Sequence, residues 1–382
     1  MATKPGQLAV LLYFVQSMLL GGVLALIAKR SRGFNTYQLL LAVVWTVAVV
    51  AIRFKYGVDQ VTFYSNDQET QVFLVNRFIK YGLSFSPNVA ISDRYLVVIP
   101  VRMLNLFGID PLLAFKFLQA ISLSYLYKLC SDFLSREGIT VRLWHAIFFA
   151  GPLFVFLSTI GLRDLEIALF ATYFLIGRST SLKLFSLVAT VLLRPHLALA
   201  LIIGWVVAKY FQKFQPKRIY FVIVGLVICA FAFGGYGYSA GSFLKYRNDL
   251  LTPRVFEQVA WWRFFSNLVG LQFLTFTDLV VKMSISQLIA LRLVFVDTFA
   301  VPLLFVFTLF ATSSKLSVIR IQVFVTFAFF LGLVAQTNFN SSRQNLPFLS
   351  AMGVLGLAGV LKANRTNIEP QLFHDMGVKS SS

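Results

Sequence analysis

Residues 8–28 read LAVLLYFVQSMLLGGVLALIA, and this run decides the fold class. A helix needs about 20 apolar residues to cross a bilayer, and Lys29 and Arg30 follow the run directly. A cleaved signal peptide carries its basic residues before its apolar run. We therefore expect a retained transmembrane helix whose N-terminus lies outside.

The composition extends this expectation to the whole chain. Hydrophobic residues make up 58% of the 382 residues and charged residues 13%, and the mean hydropathy is +0.77. Soluble globular proteins contain about 45–50% apolar and about 25% charged residues. The sequence therefore predicts an all-α polytopic membrane protein and excludes a soluble enzyme, a disordered chain and a fibrous protein.

The net charge of +19 comes largely from short basic clusters between apolar runs, such as residues 29–32 and 213–218. This arrangement is typical of loops held at an anionic leaflet, so we expect the lipid bilayer and no nucleic acid as a partner. The two cysteines and three histidines form no disulfide framework and no metal motif. No cofactor is evident, although a divalent cation is compatible with the sequence.

Repeated apolar runs predict about 11 transmembrane helices in one domain, residues 1–362, followed by a polar cytoplasmic tail, residues 363–382. After the first run, those of near full length are 37–53, 111–132, 143–161, 217–236, 286–312, 321–337 and 346–361. The proposed inner loops have the higher density of Lys and Arg. This predicts a multi-pass protein of the cytoplasmic (inner) membrane with its N-terminus outside and its C-terminus in the cytoplasm.

Two regions depart from simple spans. The first long outer loop, 54–110, contains amphipathic stretches at 68–81 and 95–107, which predict helices lying in the membrane interface. Three apolar segments of region 165–208 are too short to span the bilayer along its normal: 165–177, 184–193 and 197–208. Short or broken helices at membrane depth are tolerated where they line a cavity or pack inside protein, so this region predicts a functional site.

Ionisable side chains gather on the outer side of this topology, where charge at membrane depth is costly. The sharpest motif is Arg163-Asp164, with Glu166 as a further substrate contact. The planar fork of Arg163 suits phosphate oxygens, and Asp164 is a candidate base or a group that orients the arginine. The alternative is a buried Arg–Asp pair that only satisfies itself.

A second motif, Arg194-Pro195-His196, breaks another apolar run. Proline removes a backbone donor and kinks a helix. A kink that carries Arg194 and His196 predicts phosphate binding by the arginine and proton transfer by the histidine. The alternative is an arginine that snorkels from a helix end.

Two further candidates lie in the first outer loop. Asp67, within the element 64–69, is either a base for a sugar hydroxyl or the cap of the following helix. Asp93 and Arg94 precede the second amphipathic stretch. They are either substrate contacts or a local ion pair with a cap.

The remaining candidates lie in two later outer loops. Asn340, Arg343 and Gln344 belong to a polar loop that either contacts substrate or is merely solvated. Trp262 and Arg263 lie in the long outer loop 237–285. Aromatic faces stack on sugar rings, but the same residue types also form interfacial belts.

These motifs resemble the middle of EpsG/Wzy-type polysaccharide polymerases. The shared pattern is an R-D step before a short helix, a basic turn and an R-P-H step, here at 163–164, 178–183 and 194–196. An acidic outer loop followed by two interfacial helices is also similar to the wider GT-C glycosyltransferase superfamily. The resemblance covers about residues 55–210 and the Arg343 loop. It departs from the pattern after His196, where Leu197-Ala198 stand in place of the small hydroxyl residue often seen.

The resemblance implies a GT-C-like fold and a glycosyltransferase, an O-antigen polymerase in type, that joins glycans carried on polyprenyl diphosphate at the outer face. It implies that Arg163, Arg194 and Arg343 hold the diphosphate and that Asp67 or Asp164 is the base. The donor supplies the energy, in keeping with a sequence that has no ATP-binding motif. A chain-length regulator fits such an enzyme as a partner.

Two other functions stay open. A GT-C transferase that adds one sugar from a polyprenyl monophosphate needs fewer cations. A flippase or transporter of lipid-linked sugars is not an enzyme, and transporters usually show repeat symmetry and polar sites near the midplane. This sequence shows no visible repeat, and its polar groups gather on one predicted face.

Overall fold

The computed structural model describes seven stretches of the chain: 7–30, 36–56, 65–83, 94–211, 300–305, 318–334 and 342–375. Every regular element within these stretches is helical. The all-α prediction is therefore confirmed for this part of the protein. The predicted span 217–236 and most of 286–312 lie outside the described residues.

Two described helices are long and apolar enough to cross a membrane, α1 (Gln7–Arg30) and α2 (Thr36–Tyr56). They expose large apolar side chains: Leu19 is 66% exposed and Val47 is 63% exposed. Lipid is the solvent that suits such a surface. The described helices are therefore compatible with a membrane protein, while the total of about 11 spans is not confirmed.

The segment 54–110, which was predicted as the first outer loop, contains helices where amphipathicity predicted them, α3 (Ser65–Tyr81) and α4 (Tyr95–Leu106). Their position in the membrane interface stays a prediction. α4 meets α5 (Pro111–Arg136) at a bend of 120°, and the two would add a third candidate span if counted as one. Asp110 caps α5, since its Oδ1 accepts from the backbone N–H of Leu112 at 2.9 Å.

The prediction of one span at 143–161 is wrong. A 3₁₀ helix covers Leu143–Phe148, and a separate short helix, α6, covers Pro152–Ser158. Gly151 between them has an extended backbone. Pro152 has no N–H to continue a preceding helix but fits the first position of a new one, which explains the break.

The prediction of short helices in region 165–208 is confirmed. They are α7 (Asp164–Ile176), α8 (Thr180–Leu193) and α9 (Pro195–Phe211). The Ser179 hydroxyl caps α8, and Pro195 begins α9 because proline is suited to a first helical position. α7 and α8 pack against each other as a helical hairpin.

The chain divides into two compact units, and the first contains residues 1–129 and 150–201. Its core is organised around α2. Trp45 is fully buried, and its indole Nε1 donates to the Ser158 carbonyl at 3.1 Å. The Tyr37 hydroxyl donates to the Ala150 carbonyl at 2.7 Å. These bonds satisfy the polar ends of large buried side chains.

The second unit contains residues 130–149 and 202–382, including α10 (Val318–Val334) and α11 (Ser342–Asp375). Phe348 packs on Phe330 with ring centroids 5.1 Å apart, and the Ser350 hydroxyl donates to the Phe149 carbonyl at 2.7 Å. α11 continues past residue 362 into the segment interpreted as a polar tail and ends at Asp375.

Candidate functional site

A cluster of charged and polar side chains lies within the first unit, around the beginning of α7. Its members come from α5, from the first turn of α7 and the residue before it, and from the α8–α9 junction. We define the junction cluster as Lys116, Gln119, Arg163, Asp164, Glu166 and Arg194. All of them are buried except Arg163, which is half-buried. Burial of so many polar groups demands mutual pairing.

Gly161 brings the start of α7 against α5. Its φ of +81° lies in the left-handed region, which glycine adopts without steric cost. A Cβ at this position would lie 3.0 Å from Lys116 Cγ and 3.2 Å from the Leu112 carbonyl oxygen. The turn therefore places the stem of Lys116 beside the chain that leads into Arg163 and Asp164.

Two arginines connect the start of α7 with the end of α8. Arg194 Nη2 donates to Asp164 Oδ1 at 3.3 Å. Arg163 Nη1 donates to the Leu193 carbonyl at 2.9 Å. The last carbonyls of a helix have no partner within that helix, so Arg163 also satisfies a carbonyl at the C-terminus of α8.

This geometry adds a contact that the sequence interpretation did not contain. The interpretation considered Asp164 with its neighbour Arg163, and the structure places Asp164 in an ion pair with Arg194. The alternative interpretation of Arg194 as a snorkelling side chain is wrong, because the residue is only 4% exposed. The interpretation of Asp164 as half of a buried Arg–Asp pair is confirmed by its pairing with Arg194.

Gln119 on α5 holds the first turn of α7 by two bonds. Its Oε1 accepts from the Leu165 backbone N–H at 2.9 Å, and its Nε2 donates to Glu166 Oε2. A backbone N–H is always a donor, so this contact fixes which way the amide points. Glu166 is 9% exposed, and its Oε1 has no hydrogen-bond partner among the described residues.

The charges of the junction cluster favour an anionic ligand. Lys116, Arg163 and Arg194 are three cations set against two carboxyl groups. Both carboxyl groups lie in the first turn of α7, where the helix dipole stabilises negative charge. The cluster as a whole therefore retains cationic character at a site that excludes most water.

Other predicted site residues lie near helix starts. His196 is the second residue of α9, directly after Pro195, and is half-buried. Asp67 lies in the first turn of α3. Arg94 immediately precedes α4 with a left-handed φ of 56°, and its carbonyl accepts from Val97 N at 2.9 Å. Their substrate roles stay predictions.

The later predicted loop is partly helical. Arg343 and Gln344 lie in the first turn of α11, in the second unit, so the interpretation of 338–347 as a loop is wrong from Ser342 onward. The candidates Asp93, Trp262, Arg263 and Asn340 lie outside the described residues.

Sequence reasoning missed Lys116 and Gln119. They fall inside the predicted span 111–132, yet both side chains are fully buried. Residues three apart on a helix share one face, and a lysine in an apolar helix marks a functional position by default. That spacing, 116 and 119, was the available signal.

No group of three His, Cys, Asp or Glu side chains converges within the described ranges. The divalent cation therefore stays a prediction. No family model matches the chain, and no curated protein and no solved structure matches it. Any inference about function therefore rests on the charges, burial and hydrogen bonds of the junction cluster.

Proposed function

We propose that this protein is a membrane glycosyltransferase of the polysaccharide-polymerase type. It joins glycan units carried on polyprenyl diphosphate at the outer face of the cytoplasmic membrane. The observation that carries the proposal is the junction cluster, in which Arg163 and Arg194 lie at the ends of short helices and buried Lys116 lies on α5, in a membrane-compatible chain. Cations in apolar surroundings are costly unless they pair or bind a ligand. A diphosphate has enough negatively charged oxygens to pair with several cations at once.

The reaction needs stabilisation of a leaving group. An acceptor hydroxyl attacks the anomeric carbon of the donor while the bond to the diphosphate breaks, so negative charge grows on the phosphate oxygens. A guanidinium carries five N–H donors, so Arg163 can contact phosphate while keeping its bond to Leu193. Lys116, whose stem lies beside Gly161, adds a compact positive charge to the same cluster.

The bond between Arg194 and Asp164 favours a supporting role for that arginine. It neutralises the carboxylate next to Arg163 and fixes the helix junction. Arg194 as a direct diphosphate ligand stays a prediction, as does Arg343 in α11. The number of cations is what favours a diphosphate over a monophosphate donor, because a monophosphate carries less charge.

The test is a glycan ladder in cells that lack the gene. They are complemented with wild type, Arg163→Ala, or Arg178→Ala, a matched control because Arg178 is exposed just beyond the opposite end of α7. Wild type and the control should restore long polymer at equal membrane levels. Arg163→Ala should leave single repeat units on lipid, because losing one stabilising donor lowers the rate about 10²–10³-fold.

Other outcomes decide between the functions. A lipid-linked unit that lacks one sugar in the cells without the gene would indicate a single-sugar transferase. Complete units retained on the inner leaflet would indicate a flippase. A full ladder from Arg163→Ala would remove this arginine from the site.

A further inference from the structure

We propose that Glu166 is the catalytic base that takes the proton from the acceptor hydroxyl, and that Gln119 positions it. The inference rests on the proposed glycosyl transfer and selects one carboxyl group within the junction cluster. The sequence pointed instead to Asp67 or Asp164 and placed Glu166 among substrate contacts. Three features of the structure support the change.

The first feature is that Asp164 is already engaged. Its Oδ1 accepts from Arg194 at 3.3 Å, and both side chains are at least 95% buried. Protonating this carboxylate would leave a buried guanidinium without its counter-charge, which is strongly unfavourable. Asp164 is therefore suited to holding the junction and poorly suited to accepting a proton in each turnover.

The second feature is the asymmetric environment of Glu166. One carboxyl oxygen, Oε2, accepts from Gln119, whereas Oε1 has no hydrogen-bond partner in the described part of the chain. Buried polar atoms nearly always have a hydrogen-bond partner, so a buried acceptor without one is suited to a donor on a bound ligand. A sugar hydroxyl is such a donor, and a general base must reach its proton directly.

The third feature is the way Gln119 is held. It accepts from the Leu165 backbone at 2.9 Å while it donates to Glu166, and it is fully buried. The amide is therefore fixed to the same helical turn whose side chain it orients. Two-point attachment of this kind keeps a reacting oxygen in a productive place, which is a large part of catalysis.

The chemical step balances. The acceptor oxygen forms a bond to the anomeric carbon, and the bond from that carbon to the diphosphate oxygen breaks. The electron pair leaves on the diphosphate, whose charge is met by Arg163 and Lys116. The hydroxyl proton moves to Glu166 Oε1 and is passed to water after the product leaves.

The test uses the purified full-length protein in lipid vesicles with a synthetic polyprenyl-diphosphate-linked oligosaccharide as donor and acceptor. Glu166→Gln preserves the link to Gln119, because the introduced amide oxygen can accept the same bond. We expect kcat to fall about 10²–10⁴-fold, with KM changed by less than about threefold. The acid limb of the pH–rate profile should disappear.

Two further variants separate chemistry from structure. Glu166→Asp keeps the carboxylate, so it should retain the acid limb at a lower rate. Gln119→Met removes the positioning bonds, so it should lower kcat and move the midpoint of that limb without abolishing it. Elution and thermal unfolding in detergent identify any variant that has lost its fold.

Three results would overturn the assignment. If Glu166→Gln keeps the wild-type rate and acid limb, the base is another group such as Asp67, and the transferase function stands. If Glu166→Gln raises KM alone, Glu166 is only a substrate contact. If wild type transfers no glycan from the lipid diphosphate, the transferase function is wrong and the base assignment falls with it.

Discussion

Arg194 and Asp164 form a buried ion pair across 30 positions of sequence, with Nη2 3.3 Å from Oδ1. Arg163 bridges the same two places through the Leu193 carbonyl at 2.9 Å. Since α7 and α8 form a hairpin, these contacts close its open end and tie it to the start of α9. The pair is therefore part of the framework on which the remaining members of the junction cluster are held.

Breaking one side of this pair should destabilise the protein. Asp164→Asn and Arg194→Met are each expected to cost about 3–5 kcal/mol, because each leaves a buried charge without its partner. The double variant should cost less than the two together by at least about 1 kcal/mol. Denaturant unfolding in detergent measures all three, with Arg178→Met as the exposed control. Purely additive costs would mean that the two side chains do not interact.

Gly161 can be compared with Gly108, a control position of similar backbone conformation, to test how closely α7 approaches α5. Their φ values are +81° and +77°, but of the two only Gly161 has neighbours within 4 Å of the place where a Cβ would lie. Gly108→Ala should therefore lose about 1 kcal/mol from backbone strain alone. Gly161→Ala should lose a further 1–3 kcal/mol or so from overpacking against Leu112 and Lys116.

Thermal unfolding of both glycine variants in detergent checks this difference. Equal losses would show that the close contact yields without cost. In that event Lys116 would not be held firmly beside Arg163.

The sequence was sufficient to locate the short helices of region 165–208. Charged residues, glycine and proline interrupt apolar runs at positions where helices must end, so Arg163-Asp164 and Arg194-Pro195 marked real boundaries. The prediction failed at 143–161, where Gly151-Pro152 breaks the helix although the residues around it are apolar. Local backbone rules predict breaks better than hydropathy does when the two conflict.

The sequence did not predict which side chains of the junction cluster contact one another. Asp164 forms an ion pair with an arginine 30 residues away, because the hairpin of α7 and α8 brings the start of α7 close to the end of α8. Gln119 reaches Glu166 from α5, a separation of 47 residues. Such contacts depend on helix packing, which one sequence without an alignment does not specify.

The orientation of the N-terminus is a prediction that labelling can test. In a background with both native cysteines replaced by alanine, Lys4→Cys and Ser31→Cys place single thiols before and after α1. If the N-terminus lies outside, an impermeant maleimide should label position 4 in intact cells. Position 31 should react only after permeabilisation, because the basic end of α1 is expected inside. The reverse pattern would invert the topology.

Lys116 should determine the preference for a diphosphate. Lys116→Met keeps the stem that packs beside Gly161 and removes the charge, while Lys128→Met makes the same change three helical turns along α5. A hydrogen bond to a charged group contributes about 1.5–3 kcal/mol, so Lys116→Met should weaken inhibition by polyprenyl diphosphate about 10–100-fold. Inhibition by polyprenyl monophosphate should change much less, since a monophosphate offers the lysine fewer oxygens to bind.

Competition assays in vesicles measure both inhibitors on wild type and the two variants. An equal loss of inhibition for both inhibitors, or the same loss in Lys128→Met, would show that Lys116 does not bind the second phosphate group.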